Sequence, residues 1–130
     1  MPEERTENKA MTAASDYFTR AGFSVRNVAR ERGHGGFDLL VTKGDDVKKI
    51  EVKGCSEEWG IPDFYVTEFD DERRLVADVL CVVYFLSDRP IPKICLIPRE
   101  AIPPELVTPQ SRYRISSKFK KRSVLEKYCV

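Results

Sequence analysis

Three residues near the middle of the chain, Asp38, Glu51 and Lys53, have the types that metal-dependent hydrolysis requires. Two neighbouring carboxylates raise each other's pKa unless a cation separates them. Mg²⁺ suits this role, because it takes oxygen ligands and binds through one or two carboxylates together with phosphate and water. A lysine beside them could hold an attacking water molecule or stabilise charge on a phosphate oxygen. The three residues are therefore the parts of a site for metal-assisted phosphodiester hydrolysis.

A predicted β-hairpin with its turn at 43–46 positions these residues, because short apolar strands flank a glycine-containing turn. If the hairpin is centred in the middle of that turn, Asp38 lies opposite Glu51, with Cβ atoms about 4.5–5.5 Å apart. Side chains alternate along a strand, so Glu51 and Lys53 share one face. One face of one hairpin is thus predicted to gather two carboxylates and an ammonium group.

The same residues also have a simpler explanation, because Asp and Glu-x-Lys occur on the solvated face of ordinary hairpins. Three features favour a functional site instead. These are the cross-strand register, the glycines that flank the hairpin at Gly36 and Gly54, and the order of the surrounding elements.

Five segments occur in an order that resembles a known family of nucleases. They are Glu7-Asn8-Lys9-Ala10-Met11 at the start of a helix, Gly22-Phe23-Ser24-Val25, a loop, Gly36-Phe37-Asp38-Leu39-Leu40, and Ile50-Glu51-Val52-Lys53-Gly54. This succession resembles the PD-(D/E)xK nuclease superfamily, and most of all the nuclease-like domain at the C-terminus of the plant protein NO VEIN. Archaeal Holliday junction resolvases are similar more distantly. The resemblance covers roughly residues 5–86, and Phe37 stands where the motif has a proline that is not a ligand.

The resemblance implies a role for each residue of the motif. Asp38 and Glu51, with the Val52 carbonyl, would bind Mg²⁺ or Mn²⁺, and Lys53 would position or activate water. Glu7 on the first helix would complete the catalytic set; alternatively, it is an acid favourably placed at a helix N-terminus. No organic cofactor is expected, since the sequence has no glycine-rich phosphate loop.

The distribution of charge indicates DNA as the partner, although the net charge is only +1. Segment 111–128 contains seven basic residues and one acidic residue, and such a stripe could contact phosphates. The alternative is a solvated amphipathic helix with Phe119 and Leu125 turned inward. The predicted nucleic-acid-binding residues are His34, Arg73, Arg74, Arg112, Arg114, Lys118, Lys120, Lys121 and Arg122. His34 could instead be incidental in its glycine loop.

The expected fold class is α/β, with a restriction-endonuclease-like mixed sheet flanked by α-helices and an α-β-β-β-α-β core. The predicted elements are helix 7–21, strands 23–29, 37–41 and 47–53, helix 68–80, strands 81–86 and 93–97, and helix 118–128. The sheet should be mostly antiparallel. The third strand should reach a parallel fourth strand through the helix at 68–80, by a right-handed crossover.

Length and composition predict one domain over residues 1–130, with 42% hydrophobic and 33% charged residues. No apolar run approaches the roughly 20 residues that cross a bilayer, and the N-terminus lacks a signal-peptide core. The four cysteines are widely spaced, which predicts a reduced, cytoplasmic protein. They are Cys55, Cys81, Cys95 and Cys129.

The predicted function is a divalent-metal-dependent DNA endonuclease, dimeric if it cuts both strands. The alternative is a catalytically inactive module that binds nucleic acid or protein within a larger restriction or repair complex.

Overall fold

A mixed sheet of five strands forms the centre of the computed structural model, which describes residues 6–29, 36–109 and 113–130. The strands are β1 Ser24–Asn27, β2 Leu39–Lys43, β3 Asp46–Cys55, β4 Val79–Tyr84 and β5 Lys93–Pro98, in that spatial order. β3 and β4 are parallel, and the other neighbours are antiparallel. The α/β class and the mostly antiparallel mixed sheet are therefore confirmed.

The hairpin of β2 and β3 has the predicted register. Leu39 pairs with Ile50, and Lys43 pairs with Asp46 across the turn. β3 continues to Cys55 and so is longer than predicted, because its second half pairs with β4.

One face of the sheet is covered by the first helix, α1 Thr6–Arg20. Ala10, Ala14 and Phe18 recur at helical spacing and are buried against this face. Ile50 and Val52 of β3 belong to the same apolar cluster. Because side chains alternate along β3, Glu51 and Lys53 face the opposite side of the sheet.

The opposite face is covered by the segments that follow β3 and β5. They include a second small sheet, formed by β6 Val107–Pro109 and β7 Tyr113–Ile115, and the short helix α2 Arg122–Leu125. β4 contributes to both faces: Leu80, Val82 and Tyr84 pack on this side, and Cys81 and Val83 pack towards α1. A strand buried on both faces explains the continuous apolar run in the sequence.

The predicted helix at 68–80 is wrong. The parallel crossover from β3 to β4 is made instead by irregular chain that includes the 3₁₀ helix Val66–Glu68. The Asp70 carboxylate accepts hydrogen bonds from two backbone N–H groups shortly after it, which favours a tight turn over a helix. That turn brings Phe69 opposite Leu75, and both side chains are buried.

The predicted terminal helix at 118–128 is also much shorter than expected. Lys121 has an extended backbone, so α-helix begins only at Arg122 and continues for four residues before the 3₁₀ helix Glu126–Tyr128. Phe119 and Leu125 are buried, as the amphipathic alternative predicted.

The expectation of reduced cysteines is wrong for one pair. Cys129 lies beside Cys95 of β5, where a backbone bridge joins the two residues, and the structure links them by a disulfide. Cys55 and Cys81 are free thiols, and burial raises the pKa of Cys81 to about 12. The cytoplasmic location stays a prediction. In the described part of the chain, no helix is long and apolar enough to cross a membrane.

Candidate active site

Asp38 immediately precedes β2, and backbone hydrogen bonds hold it on both sides. Its N–H donates to the Ile50 carbonyl at 2.9 Å, and its carbonyl accepts the Val28 N–H at 2.9 Å. The Val52 N–H donates to Asp38 Oδ2 at 2.9 Å, which ties the carboxyl group to β3. Burial raises the pKa of Asp38, and the hydrogen bond from Val52 opposes that rise. The carboxyl group is thus fixed beside Glu51, as the register predicted.

Glu51 and Lys53 project from β3 into the protein and not into solvent. Glu51 is only 2% exposed, and the Lys53 side chain is 12% exposed. Lys53 Nζ lies 3.6 Å from Glu51 Oε2. The alternative of a solvated hairpin face is therefore wrong for these two residues.

A third carboxylate, Glu68, completes the cluster, and sequence analysis did not single it out. Lys53 Nζ lies 3.1 Å from Glu68 Oε1 and 3.4 Å from Oε2, and Glu68 is 8% exposed. The Tyr65 N–H also donates to Glu68 Oε1, at 2.6 Å. In the sequence, Glu68 is an acidic residue that precedes Phe69 and follows the Glu-x-Lys strand. Because residues 68–80 were interpreted as a helix, nothing in the sequence distinguished Glu68 from any other acidic residue at the start of a helix.

Close packing between two loops brings Glu68 to the hairpin. Gly36 has φ +77°, and a Cβ atom at this position would overlap the Thr67 carbonyl. Only glycine allows this approach without strain. The contact places the segment before Asp38 directly against the segment that carries Glu68. This close contact explains why position 36 is a glycine.

The cluster contains three carboxyl groups and one ammonium group. Burial raises the pKa of Glu51, the facing carboxyl groups of Glu68 and Asp38 raise it further, and Lys53 opposes the rise. Glu51 and Glu68 can hydrogen-bond to each other only when one of them carries a proton. Glu51 Oε1 is buried and otherwise has no hydrogen-bond partner among the described residues. The site therefore needs either a shared proton or an additional cation.

The donor chemistry fits a hard divalent cation, since it consists of carboxylate oxygens with an unsatisfied oxygen on Glu51. Within the ranges that the structure describes, however, no three His, Cys, Asp or Glu side chains are already arranged as a metal-binding group. Lys53 instead supplies the positive charge next to Glu51 and Glu68.

Two predicted DNA-binding residues, Arg73 and Arg74, lie on the exposed turn that follows Glu68. Arg73 has φ +62°, and the Arg74 N–H donates to Asp70 Oδ1 at 2.9 Å. Both arginines therefore lie on the same connection between β3 and β4 as Glu68.

Three basic residues of the C-terminal segment have hydrogen-bond partners within the chain. Arg114 makes two hydrogen bonds to Asp63, Lys120 Nζ donates to the Ile61 carbonyl, and Arg122 pairs with Glu126. Lys118 and Lys121 are exposed. The contacts of Arg114 and Lys120 attach the segment to the loop just before Tyr65.

Three predicted residues are not brought to the site by any described contact. His34 and Arg112 lie outside the described residues. The backbone of Glu7 belongs to α1, but its side chain is not described, so both explanations of this residue stay predictions.

Comparison with known proteins finds no matching family model and no matching curated protein. Among solved structures, the chain is similar to Hjc, a Holliday junction resolvase from the archaeal hyperthermophile Archaeoglobus fulgidus. The two chains are 16% identical, the alignment covers 84% of this chain and 81% of that one, and the TM-score is 0.46. Resemblance to the NO VEIN domain stays a prediction, and the assignment of the site rests on the geometry described above.

Proposed function

We propose that the chain is a single-domain, metal-dependent nuclease that hydrolyses DNA phosphodiester bonds at the cluster of Asp38, Glu51, Lys53 and Glu68. One observation carries the proposal: Glu51 Oε1 is buried without a hydrogen-bond partner in the described structure, next to two further carboxyl groups. Buried ionisable groups cost stability, and well-packed apolar residues would serve a purely structural role better. Strongly perturbed carboxyl groups of this kind are typical of functional sites.

In the proposed site, Asp38, Glu51 and the Val52 carbonyl would hold Mg²⁺ or Mn²⁺. When bound, the cation would favour deprotonation of water and offset charge on the phosphate oxygens. Lys53 donates hydrogen bonds that orient the attacking water or a phosphate oxygen, and Glu68 holds the Lys53 ammonium group in position. Glu7 would complete the set from α1.

The proposed DNA contacts come from the exposed turn and from the C-terminal segment. Arg73 and Arg74 lie on the turn after Glu68, and Lys118 and Lys121 are exposed beyond β7. Arg114, Lys120 and Arg122 would need to exchange their present partners for phosphates. His34 and Arg112 remain part of the proposal, as does a homodimer for cutting both strands.

Cleavage assays with matched variants test the function. Wild type should cut at least one DNA substrate (supercoiled plasmid, linear duplex, single strand or four-way junction), and only with Mg²⁺ or Mn²⁺; cutting of RNA alone would contradict the proposed substrate. Glu51→Gln should abolish the cutting, whereas Glu105→Gln, at an exposed glutamate in the 3₁₀ helix Pro104–Leu106, should leave it unchanged. Cleavage by Glu51→Gln at the wild-type rate would contradict the proposal.

A second candidate is an inactive module that binds nucleic acid or protein. The pairing of Lys53 with Glu51 and Glu68 favours it, because these ion pairs neutralise part of the cluster without a metal. Calorimetry distinguishes the two candidates. A nuclease should bind Mg²⁺ or Mn²⁺ at a site that Asp38→Ala removes, whereas an inactive module that retains DNA binding should bind neither ion there.

A further inference from the structure

Tyr65 lies at the surface, at the edge of the cluster of Asp38, Glu51, Lys53 and Glu68. The residue is 62% exposed, although its neighbours Phe64 and Glu68 are buried. Its ring centroid lies 5.9 Å from Lys53 Nζ. A single exposed aromatic side chain is ordinary on a protein surface. What distinguishes Tyr65 is its distance from the ammonium group of the proposed active site.

The backbone that carries this ring is held on both sides. The Tyr65 N–H donates to Glu68 Oε1 at 2.6 Å, and the Tyr65 carbonyl accepts the Glu68 N–H at 3.0 Å. Phe64 exchanges two backbone hydrogen bonds with Tyr113, at 2.9 and 3.0 Å. The Phe64 ring packs edge-on against Phe69, with centroids 4.9 Å apart. A ring on such a fixed backbone loses little conformational entropy when it binds a planar partner.

A nucleobase is the planar partner that this position favours. Aromatic side chains stack on bases whatever the sequence, because every base has a π face. In an intact duplex, neighbouring base pairs cover both faces of each base. A ring beside the backbone can therefore stack only on a base that is unpaired or displaced.

We propose that Tyr65 stacks on an unpaired nucleobase next to the phosphate that Lys53 contacts, so that the substrate is DNA with an unpaired nucleotide at the cleavage site. This inference rests on the proposed nuclease function, because it assumes that the cluster of Asp38, Glu51, Lys53 and Glu68 receives a phosphate. Tyr65 thereby determines specificity, and selects gapped, flapped or single-stranded DNA over uninterrupted duplex.

Base stacking can be measured apart from cleavage. The probes are a duplex with one unpaired 2-aminopurine and a fully paired duplex of the same sequence, both in EDTA so that no cutting occurs. Stacking on an aromatic ring quenches 2-aminopurine fluorescence, and anisotropy gives the affinity. The proteins are wild type, Tyr65→Ala, Tyr65→Phe and the control Ile91→Ala. Ile91 is 72% exposed and lines a groove against α1, on the other face of the sheet.

Wild type, Tyr65→Phe and Ile91→Ala should quench the probe and bind it with similar affinity. Tyr65→Ala should lose the quenching and bind the unpaired probe roughly tenfold more weakly, with its duplex affinity unchanged. Undiminished quenching by Tyr65→Ala would overturn the stacking role, as would an equal loss of affinity for both probes.

Cleavage with Mg²⁺ separates this inference from the proposed function. If wild type cuts DNA and Tyr65→Ala shows no change in quenching or affinity, the nuclease stands and the stacking role fails. If stacking depends on Tyr65 but no DNA is cut with either metal, stacking stands and the nuclease function fails. Absence of binding to both probes overturns the stacking role, and if no DNA is cut either, the nuclease function fails with it.

Discussion

At the scale of single residues, the position of Lys53 between two carboxylates is the most consequential feature. Its ammonium group lies 3.6 Å from Glu51 and 3.1 Å from Glu68. Sequence analysis predicted Glu51 and Lys53, because strand alternation places them on one face. It missed Glu68, since that residue reaches the site through a tertiary contact and not through a pattern along the chain.

Glu68→Gln should therefore slow cleavage while DNA binding changes little. Glutamine keeps the size of the side chain, and its amide oxygen can still accept the Tyr65 N–H, but the charge that fixes Lys53 is lost. We expect kcat to fall by about ten- to a hundredfold, with KM within about twofold of wild type. Steady-state cleavage of the best substrate measures both, with Glu105→Gln as control. A KM effect without a kcat effect would assign Glu68 to binding and not to positioning Lys53.

The raised pKa of Glu51 should make stability depend on pH in a defined direction. The folded protein keeps the proton at pH values where the unfolded chain, with a carboxyl pKa near 4.5, has lost it. The free energy of unfolding should therefore fall as pH rises above about 4.5, by at most about 1.4 kcal/mol per pH unit. Glu51→Gln removes this proton, and so should flatten the decline. The pKa of Asp38 is also raised, so Asp38 lowers the free energy of unfolding with rising pH in the variant as well as in wild type.

Urea denaturation in EDTA at pH 5 and pH 8 measures this difference. Wild type should lose more stability than Glu51→Gln between the two conditions. Addition of Mg²⁺ at pH 8 should stabilise wild type and leave the variant unchanged, because a ligand stabilises only the state that binds it. Equal pH dependence in the two proteins would show that Glu51 does not carry the proton.

At the scale of elements, the site depends on a contact between the loop before β2 and the crossover after β3. Gly36→Ala tests this contact, because the new Cβ would overlap the Thr67 carbonyl. Gly44→Ala is the matched control: its φ of +61° is also left-handed, but nothing lies within 4 Å of the added Cβ. The control should lose about 1 kcal/mol of unfolding free energy.

Gly36→Ala should lose about 1–3 kcal/mol more than this control and should also reduce cleavage, since the overlap displaces the chain that carries Glu68. Chemical denaturation and the cleavage assay give the two values. Equal losses of stability in the two variants would show that the 36–67 contact is easily relaxed.

The spacing of apolar residues and the turn residues of the sequence correctly predicted α1 and the β2–β3 hairpin, whose conformations depend mainly on nearby residues. The apolar spacing of α1 and the turn of the β2–β3 hairpin gave the helix and the pairing of Leu39 with Ile50. The helix expected at 68–80 failed because Asp70 closes a turn through its side chain and Phe69 pairs with Leu75. Local secondary-structure propensity does not predict such contacts. The conformation of the crossover and the position of Glu68 could therefore be seen only in the tertiary structure.

At the scale of the whole molecule, the C-terminal segment covers the sheet face that carries the cluster, and a disulfide fixes its end. Cys95 and Cys129 are 34 residues apart in sequence. Cys129→Ser should lower the unfolding free energy by about 3–4 kcal/mol, because the unfolded chain regains the entropy of that loop. Denaturation without reductant measures the loss. Reductant should remove the difference from wild type, and Cys55→Ser, at a free thiol, should show little change in either condition.

The two sheet faces also separate the basic residues into those that can approach the cluster and those that cannot. Lys118 and Lys121 are exposed on the segment that packs over the cluster side, whereas Lys9 and Arg20 are exposed on α1 across the sheet. If the cluster cuts DNA, phosphates should be neutralised by the first pair and not by the second.

The double variant Lys118→Ala/Lys121→Ala should bind DNA more weakly at every salt concentration. Its slope of log affinity against log salt should fall by roughly 1 for each lysine that contacts a phosphate. Fluorescence anisotropy between about 50 and about 200 mM salt measures the slope. Lys9→Ala/Arg20→Ala removes the same number of positive charges and should leave the slope unchanged. Equal slope changes in the two double variants would show that net charge, and not a defined DNA-binding face, governs the association.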